Sequence, residues 1–493
     1  MTFDTVVHGG TLATAQTVFK ADVGIRDGRI AALADALEGG VQRIDATGKF
    51  VLPGGIEAHC HIAQESAAGL MTADDYRSGS RSAALGGNTT FIPFAAQAKG
   101  ELPTETLDRY AERAEGVSLI DWSNHLIVSD LTPKALENLP KAFERGIPSF
   151  KVFMTYAIRI DDRAFLDVLA TAKEGGGLAM VHAENHGILD WTVERLTAAG
   201  HKSPKFHAAS RPAAAEAEAI RRAIALAEFL DAPLFIVHVS TPDGAEAVRE
   251  ARARGVRLFS ETCPQYLFLT REDLDRPGQE GAKFICSPPV RDAATQDVLW
   301  RHLRLGTFDL ISSDHAPYRA DATGKFANGA DAPFPRIANG MPGVAARLPL
   351  MFSEGVMSGR LSLQRFVQIA SAEAARIHGL EGRKGTLAIG ADADLAIWDP
   401  EVEKTLSLGD MGDAMDYTPF EGRRVRGWPV RVMVRGRTVV ENGEIAAPES
   451  HGRFLPRTGP AMQDIPGSGA PELSPQVLFG ADIAPKSPMG SGG

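Results

Sequence analysis

Residues 177–239 hold the stretch that decides the fold: GLAMVHA at 177–183, AAAEAEAIRRAIALAEFL at 213–230 and PLFIVHV at 233–239. The outer two are short apolar runs of strand length, each reaching a histidine near its end. The middle one is rich in strong helix formers with apolar positions at helical spacing. Strand, helix and strand in that order form the unit of a parallel sheet, because parallel neighbours need a crossover connection. The unit recurs in both directions. KFVLPGGIE (49–57), TTFIPF (89–94), SLIDWSNHLIV (118–128) and IPSFKVFM (147–154) precede it, and VRLFSETC (256–263) and FDLISSD (308–314) follow. Eight strand candidates separated by helical stretches match a (β/α)8 TIM-like barrel. Thr72-Ala-Asp-Asp75 resembles a capping box for the first helix, and Gly86-Gly87 a signal that ends it.

Outside this core the texture changes. Residues 1–53 alternate in short strand-like pieces punctuated by Gly and Asp, and the same pattern returns at 384–455 in GTLAIGADADLAIWD and WPVRVMVRGRTVVENGEI. The two ends are expected to pair into one small β-sandwich domain, with 54–383 as the barrel. Residues 456–493 are dominated by Pro, Gly, Ser and Ala and read as an extended tail, or an arm lying on another subunit.

Composition excludes several classes. The 493 residues are 44% hydrophobic and 23% charged, with 52 Lys plus Arg against 62 Asp plus Glu, a net charge of −10. That balance argues against nucleic acid as a partner. No stretch approaches a membrane span, and the opening MTFDTVVHGG lacks the basic start and apolar run of a secretory signal. Cys60, Cys263 and Cys286 are too few and scattered for a disulfide framework, so a reducing compartment, the cytoplasm, is expected.

Chemistry-bearing residues cluster at the predicted strand ends. In a strand, residues i and i+2 share a face, so His59 and His61 in GGIEAHCHI can direct two imidazoles at one ion while Cys60 points away. His182 and His238 end buried runs, where barrel enzymes place their chemistry. Asp314 follows the eighth run, and a buried carboxylate there must be paired, coordinated or protonated. Lys151, within SFKVFM, is the least expected member, since a buried ammonium beside divalent ions is costly. A neutral amine there can instead take up carbon dioxide and become an anionic carbamate able to bridge two metals.

H-x-H, a strand-borne lysine, two further histidines and a late aspartate, in that order, resemble the binuclear members of the amidohydrolase superfamily. More specifically, the chain is similar to the dihydropyrimidinase and D-hydantoinase family. The likeness runs over about residues 1–456, through TADDYRSGS, SFKVFMTY, HAEN, SRPAAAEAEAI, ETCPQYLFL, SPPVRD, DHAPY and DYTPFEGRRVRGWPVRVMVRGR. The resemblance implies two divalent ions, most simply zinc. His59, His61 and Asp314 would hold one, His182 and His238 the other, with N6-carboxylated Lys151 and a hydroxide between them. It implies hydrolysis of a cyclic amide C–N bond, with Asp314 moving the proton and Tyr156 stabilising the oxyanion. Ser287 and Asn339 would hold the ring amide, largely through main-chain groups. It also implies a homotetramer or dimer acting on a small-molecule cyclic amide.

Two departures stand out. Glu57 replaces the aspartate usual two residues before the first histidine, and Ala345-Ala346 follow NGMPGV where the family commonly has an acidic residue. His61 is followed by Ile62-Ala63-Gln64 and not by the x-Arg with which dihydroorotase relatives grip a carboxylate, so a neutral ring is favoured. The alternatives are an allantoinase-like ureide hydrolase and a non-catalytic scaffold of the same fold. Residues 64–71 and the segment after Tyr156 are expected to cover the ring substituent.

Overall fold

The computed structural model describes residues 2–66, 69–446 and 450–460. Eight parallel strands form its centre: Gly55–Cys60, Asn88–Ala96, His125–Ile127, Ser149–Phe153, Leu178–His182, Leu234–Ile236, Leu258–Thr262 and Leu310–Ile311. Each pairs in parallel with the next. A bridge from Cys60 to His315 joins the eighth strand's extension back to the first and closes the barrel.

Strand residues alternate between two cores. Ile92, Phe94, Leu178, Met180 and Phe235 fill the barrel. Phe91, Ala95, Ala179, Val181, Leu234 and Ile236 pack outward with the surrounding helices. Strands buried on both faces read as continuous apolar runs, which is why the pattern was legible. The helix over Ala213–Leu230 spans the stretch expected for it. One local expectation is corrected: the first helix, Tyr76–Leu85, is capped by Asp75, whose carboxylate accepts from Arg77 N and Ser78 N. Thr72 lies too far upstream to reach those amides, and its hydroxyl accepts from Gln64 N at 3.0 Å.

Both chain ends build the companion domain. Leu395–Thr405 runs antiparallel to Phe50–Pro53 within a seven-stranded sheet. A four-stranded sheet holds Arg29–Ala34, Asp22–Arg26, Thr5–His8 and Gln42–Asp45. Val23 and Ile25 of the smaller sheet share a core with Leu12, Val51, Leu395 and Met433 of the larger, the packing of a β-sandwich. The start of the expected tail lies against the barrel. Arg457 N donates to Gly146 O at 2.9 Å, and its buried side chain reaches Ser123 Oγ and Ser149 Oγ, each at 2.9 Å. The remainder of the tail, 461–493, lies outside the described residues.

Candidate metal centre

Backbone geometry aims the predicted side chains at one place above the carboxyl ends of the strands. Lys151 shares the inward parity of Phe153, and His182 that of Met180. The first strand needs a correction to its pleat. A register shift between Glu57 and Cys60 leaves Ala58 in the inner layer and Cys60 with the outer core, the work of a bulge that re-aims a side chain. His238, Asp314 and Tyr156 turn by left-handed backbone, with φ of 39°, 49° and 71°. Non-glycine residues avoid this region, at a cost of order 1–3 kcal/mol each, unless the surrounding structure imposes it.

The donors converge. His59 Nε2 and His61 Nε2 lie 3.1 and 3.2 Å from the same Asp314 Oδ1. His182 Nδ1 and His238 Nε2 face each other at 2.8 Å. The His59 and His238 rings lie 5.4 Å apart, which joins the two groups. Lys151 Nζ, fully buried, lies 4.8 Å from the centre of the Phe94 ring and 5.1 Å from that of Phe153.

Residues on neighbouring elements settle the tautomers. His59 Nδ1 is in short contact with Glu261 Oε1, and His61 Nδ1 lies 2.7 Å from Gln64 Oε1. Each oxygen only accepts, so each Nδ1 carries the proton and each Nε2 turns a lone pair inward. With the imidazoles neutral, two lone pairs face one carboxylate oxygen, an arrangement that a bound cation satisfies. His59 Nε2, Lys151 Nζ and His238 Nδ1 are buried with no hydrogen-bond partner among the described residues. The donor set therefore fits divalent metal.

Electrostatics agree with that fit. Burial pushes His182 and His238 well below the ordinary histidine value, keeping them neutral as ligands must be. For His59, burial and the Lys151 charge act downward, yet the Glu261 and Asp314 carboxylates raise its pKa. The pocket thus favours positive charge at this point. Burial opposes ionisation of Asp314, but its histidine neighbours hold it well below the usual carboxylate range. Burial draws Lys151 down to about 8, partly opposed by Asp314 and Glu261, which makes a nucleophilic neutral amine accessible.

Tyr156 borders this group, its ring 5.3 Å from His182, and burial pushes its phenol up to about 12, so it stays a donor. Ser287 Oγ lies beside the Tyr156 hydroxyl, and Asn339 Oδ1 is buried without a protein partner among the described residues. Of the loop at 64–71, residues 67 and 68 lie outside the described residues.

Several participants carried no role in the sequence reading. Glu184, from HAEN, lies 2.9 Å from His182 Nε2 and pairs with buried Arg211, from SRP, which stacks 5.2 Å over the Tyr156 ring. Glu261, from ETC, orients His59. A charged residue interrupting an apolar run was the available signal for both glutamates. Glu57 takes a different place: it accepts from His59 N at 3.0 Å and Ser313 N at 3.2 Å, and lies 3.0 Å from Arg347 Nε. The longer carboxylate ties the first strand to the eighth and never touches an imidazole. Ala345 and Ala346 are buried just before Arg347, and the backbone of Ala345 lies against Gly86.

The amidohydrolase family profile matches residues 50–439. A D-hydantoinase of Ralstonia pickettii is 41% identical over 456 residues, covering 92% of this chain and 99% of that protein. A D-hydantoinase of Geobacillus stearothermophilus is 41% identical over 465 residues, covering 93% and 98%. Among solved structures, a dihydropyrimidinase from Brevibacillus agri superposes with a TM-score of 0.90 at 39% identity, covering 93% of this chain and 99% of that one.

Proposed function

We infer the activity from one premise: the chain belongs to the amidohydrolase family. It is a cyclic amidohydrolase, an enzyme that opens a cyclic amide ring by metal-dependent hydrolysis of a C–N bond. The observation that carries this reading is the set of inward-facing acceptor atoms on His59, His61 and Asp314 beside the His182 and His238 pair.

Our proposal for the site is finer. His59, His61 and Asp314 would hold one divalent ion and His182 and His238 a second, most simply zinc, with N6-carboxylated Lys151 as a further anionic ligand. Ions held there would supply Lewis acidity, lowering the pKa of an attacking water and polarising the scissile carbonyl. Asp314 accepts that water's proton at a carboxylate oxygen and returns it to the departing ring nitrogen. The Tyr156 hydroxyl donates to the carbonyl oxygen as charge builds on it. Ser287 and Asn339 orient the ring amide. Within the loop at 64–71, Leu70 and Met71, with the segment after Tyr156, cover the ring substituent. We further propose units at 1–53, 54–383, 384–455 and 456–493, a homotetramer or dimer, and a cytoplasmic location, to which three free, buried cysteines are suited. The scaffold reading is disfavoured, since all six donor positions are filled.

The test is a hydrolysis panel on protein of measured metal content: both enantiomers of 5-substituted hydantoins, dihydrouracil, allantoin and succinimide. We expect turnover of a hydantoin or dihydropyrimidine, lost on chelation and restored by a divalent cation. Fully metal-loaded protein that opens none of these rings would sink the proposal.

A further inference from the structure

A buried lysine takes no part in the chemistry above. Lys325 is fully buried, and burial draws its pKa down to about 7. Its Nζ donates to three main-chain carbonyls: Ile285 O at 2.9 Å, Ala338 O at 2.8 Å and Gly340 O at 2.6 Å. Three acceptors require three N–H bonds, which the ammonium has and the neutral amine lacks.

The three carbonyls flank two positions already singled out. Ile285 lies two residues before Ser287, and Ala338 and Gly340 bracket Asn339. Gly340 N donates to Ile285 O at 3.0 Å, which joins the segments. Other buried groups hold the remaining flanks. His207 Nε2 lies 2.8 Å from Cys286 O, and the Tyr266 hydroxyl donates to Pro288 O at 3.0 Å. The carbonyls on both sides of Ser287 and of Asn339 are therefore engaged, while Asn339 Oδ1 is buried without a partner among the described residues and Ser287 Oγ lies beside the Tyr156 hydroxyl. Pinned flanks around an open centre are what a subsite needs to present polar groups to a ligand in fixed geometry.

We propose that Lys325 is a positioning residue for substrate binding. It locks the two segments together so that Ser287 and Asn339 present matched groups to the amide N–H and C=O of the ring. This rests on the cyclic amidohydrolase reading, and one experiment separates the two. The full-length, metal-loaded protein is compared with Lys325→Met, which keeps an unbranched stem and removes every donor, and with Lys325→Gln, which keeps two donors on a shorter arm. Metal content and steady-state kinetics on a hydantoin are measured for each. We expect Lys325→Met to raise KM at least about tenfold with kcat within about threefold of the parent and metal content unchanged, the pattern of lost uniform binding. Lys325→Gln should raise KM less. An unchanged KM, or loss of kcat together with metal, overturns the proposal. Should Lys325→Met fail to fold, Lys325→Gln is judged in its place, with a raised KM, kcat within about threefold of the parent and unchanged metal content expected and an unchanged KM overturning the proposal. A parent protein inactive on every ring would overturn the underlying reading, and this proposal with it.

Discussion

Two buried lysines mark two regions of the molecule with opposite characters. At the junction of barrel and sandwich, Lys384 Nζ lies 2.6, 2.7 and 3.0 Å from carboxylates of Asp121, Asp394 and Asp392. Arg435 pairs with the other oxygen of Asp121, and its backbone N–H donates to Asp394 Oδ1 at 2.8 Å. Burial pulls the Lys384 ammonium down, but the three carboxylates raise its pKa above the usual lysine value. At the barrel mouth Lys151 is equally buried, has no hydrogen-bond partner among the described residues, and is drawn down. A closed cluster braces the structure. An open one keeps polar atoms unsatisfied for something else to bind.

Three substitutions would break or sharpen that contrast. Lys151→Met should reduce kcat/KM on a hydantoin by at least about a thousandfold, on the order of 4 kcal/mol. It should leave the denaturation midpoint of the metal-free protein unchanged or higher, since an unpaired buried amine is replaced by an apolar chain. Retention of more than about a tenth of the activity would mean that Lys151 is not part of the centre. Lys384→Met should do the reverse. It removes the ammonium shared by three buried carboxylates, leaving Asp121 with Arg435 and Asp392 with Arg383 but Asp394 with only a backbone donor, and should cost about 3–5 kcal/mol in urea unfolding. Its kcat/KM, measured where the variant is folded, should stay within about threefold of the parent. A large loss of activity without destabilisation would erase the distinction between the clusters. Glu184→Gln should have the smallest effect, weakening metal retention about 10- to 100-fold by loosening the His182 ring, as read by metal titration against a competing chelator. Unaltered retention would remove Glu184 from the site.

The ease of reading these regions from sequence differed for a physical reason. His182 and His238 could be placed because each closes an apolar run, a signal carried by fewer than ten consecutive residues. Lys151 was legible because a lysine inside SFKVFM conflicts with its surroundings. The hydrogen bond from Ser313 N to Glu57 was hidden, since 256 residues separate the two. The same applies to Glu261 beside His59, 202 residues apart, and to Lys325, which reaches three carbonyls in loops with no periodic pattern. The capping error at Thr72 has a local cause: acceptors at Thr72, Asp74 and Asp75 are interchangeable in a string, and only the turn of the chain selects Asp75.

By itself the chain of residues determined a parallel barrel, a companion sandwich and the order of the candidate metal-binding side chains, because periodicity and strand-end position are local properties. Tertiary structure alone decided which ring nitrogen faces inward, which carboxylate orients it, and where backbone in the left-handed region turns His238, Asp314 and Tyr156. Those choices depend on atoms brought together across the barrel, and no spacing along the chain encodes a distance between strands that meet only when it closes.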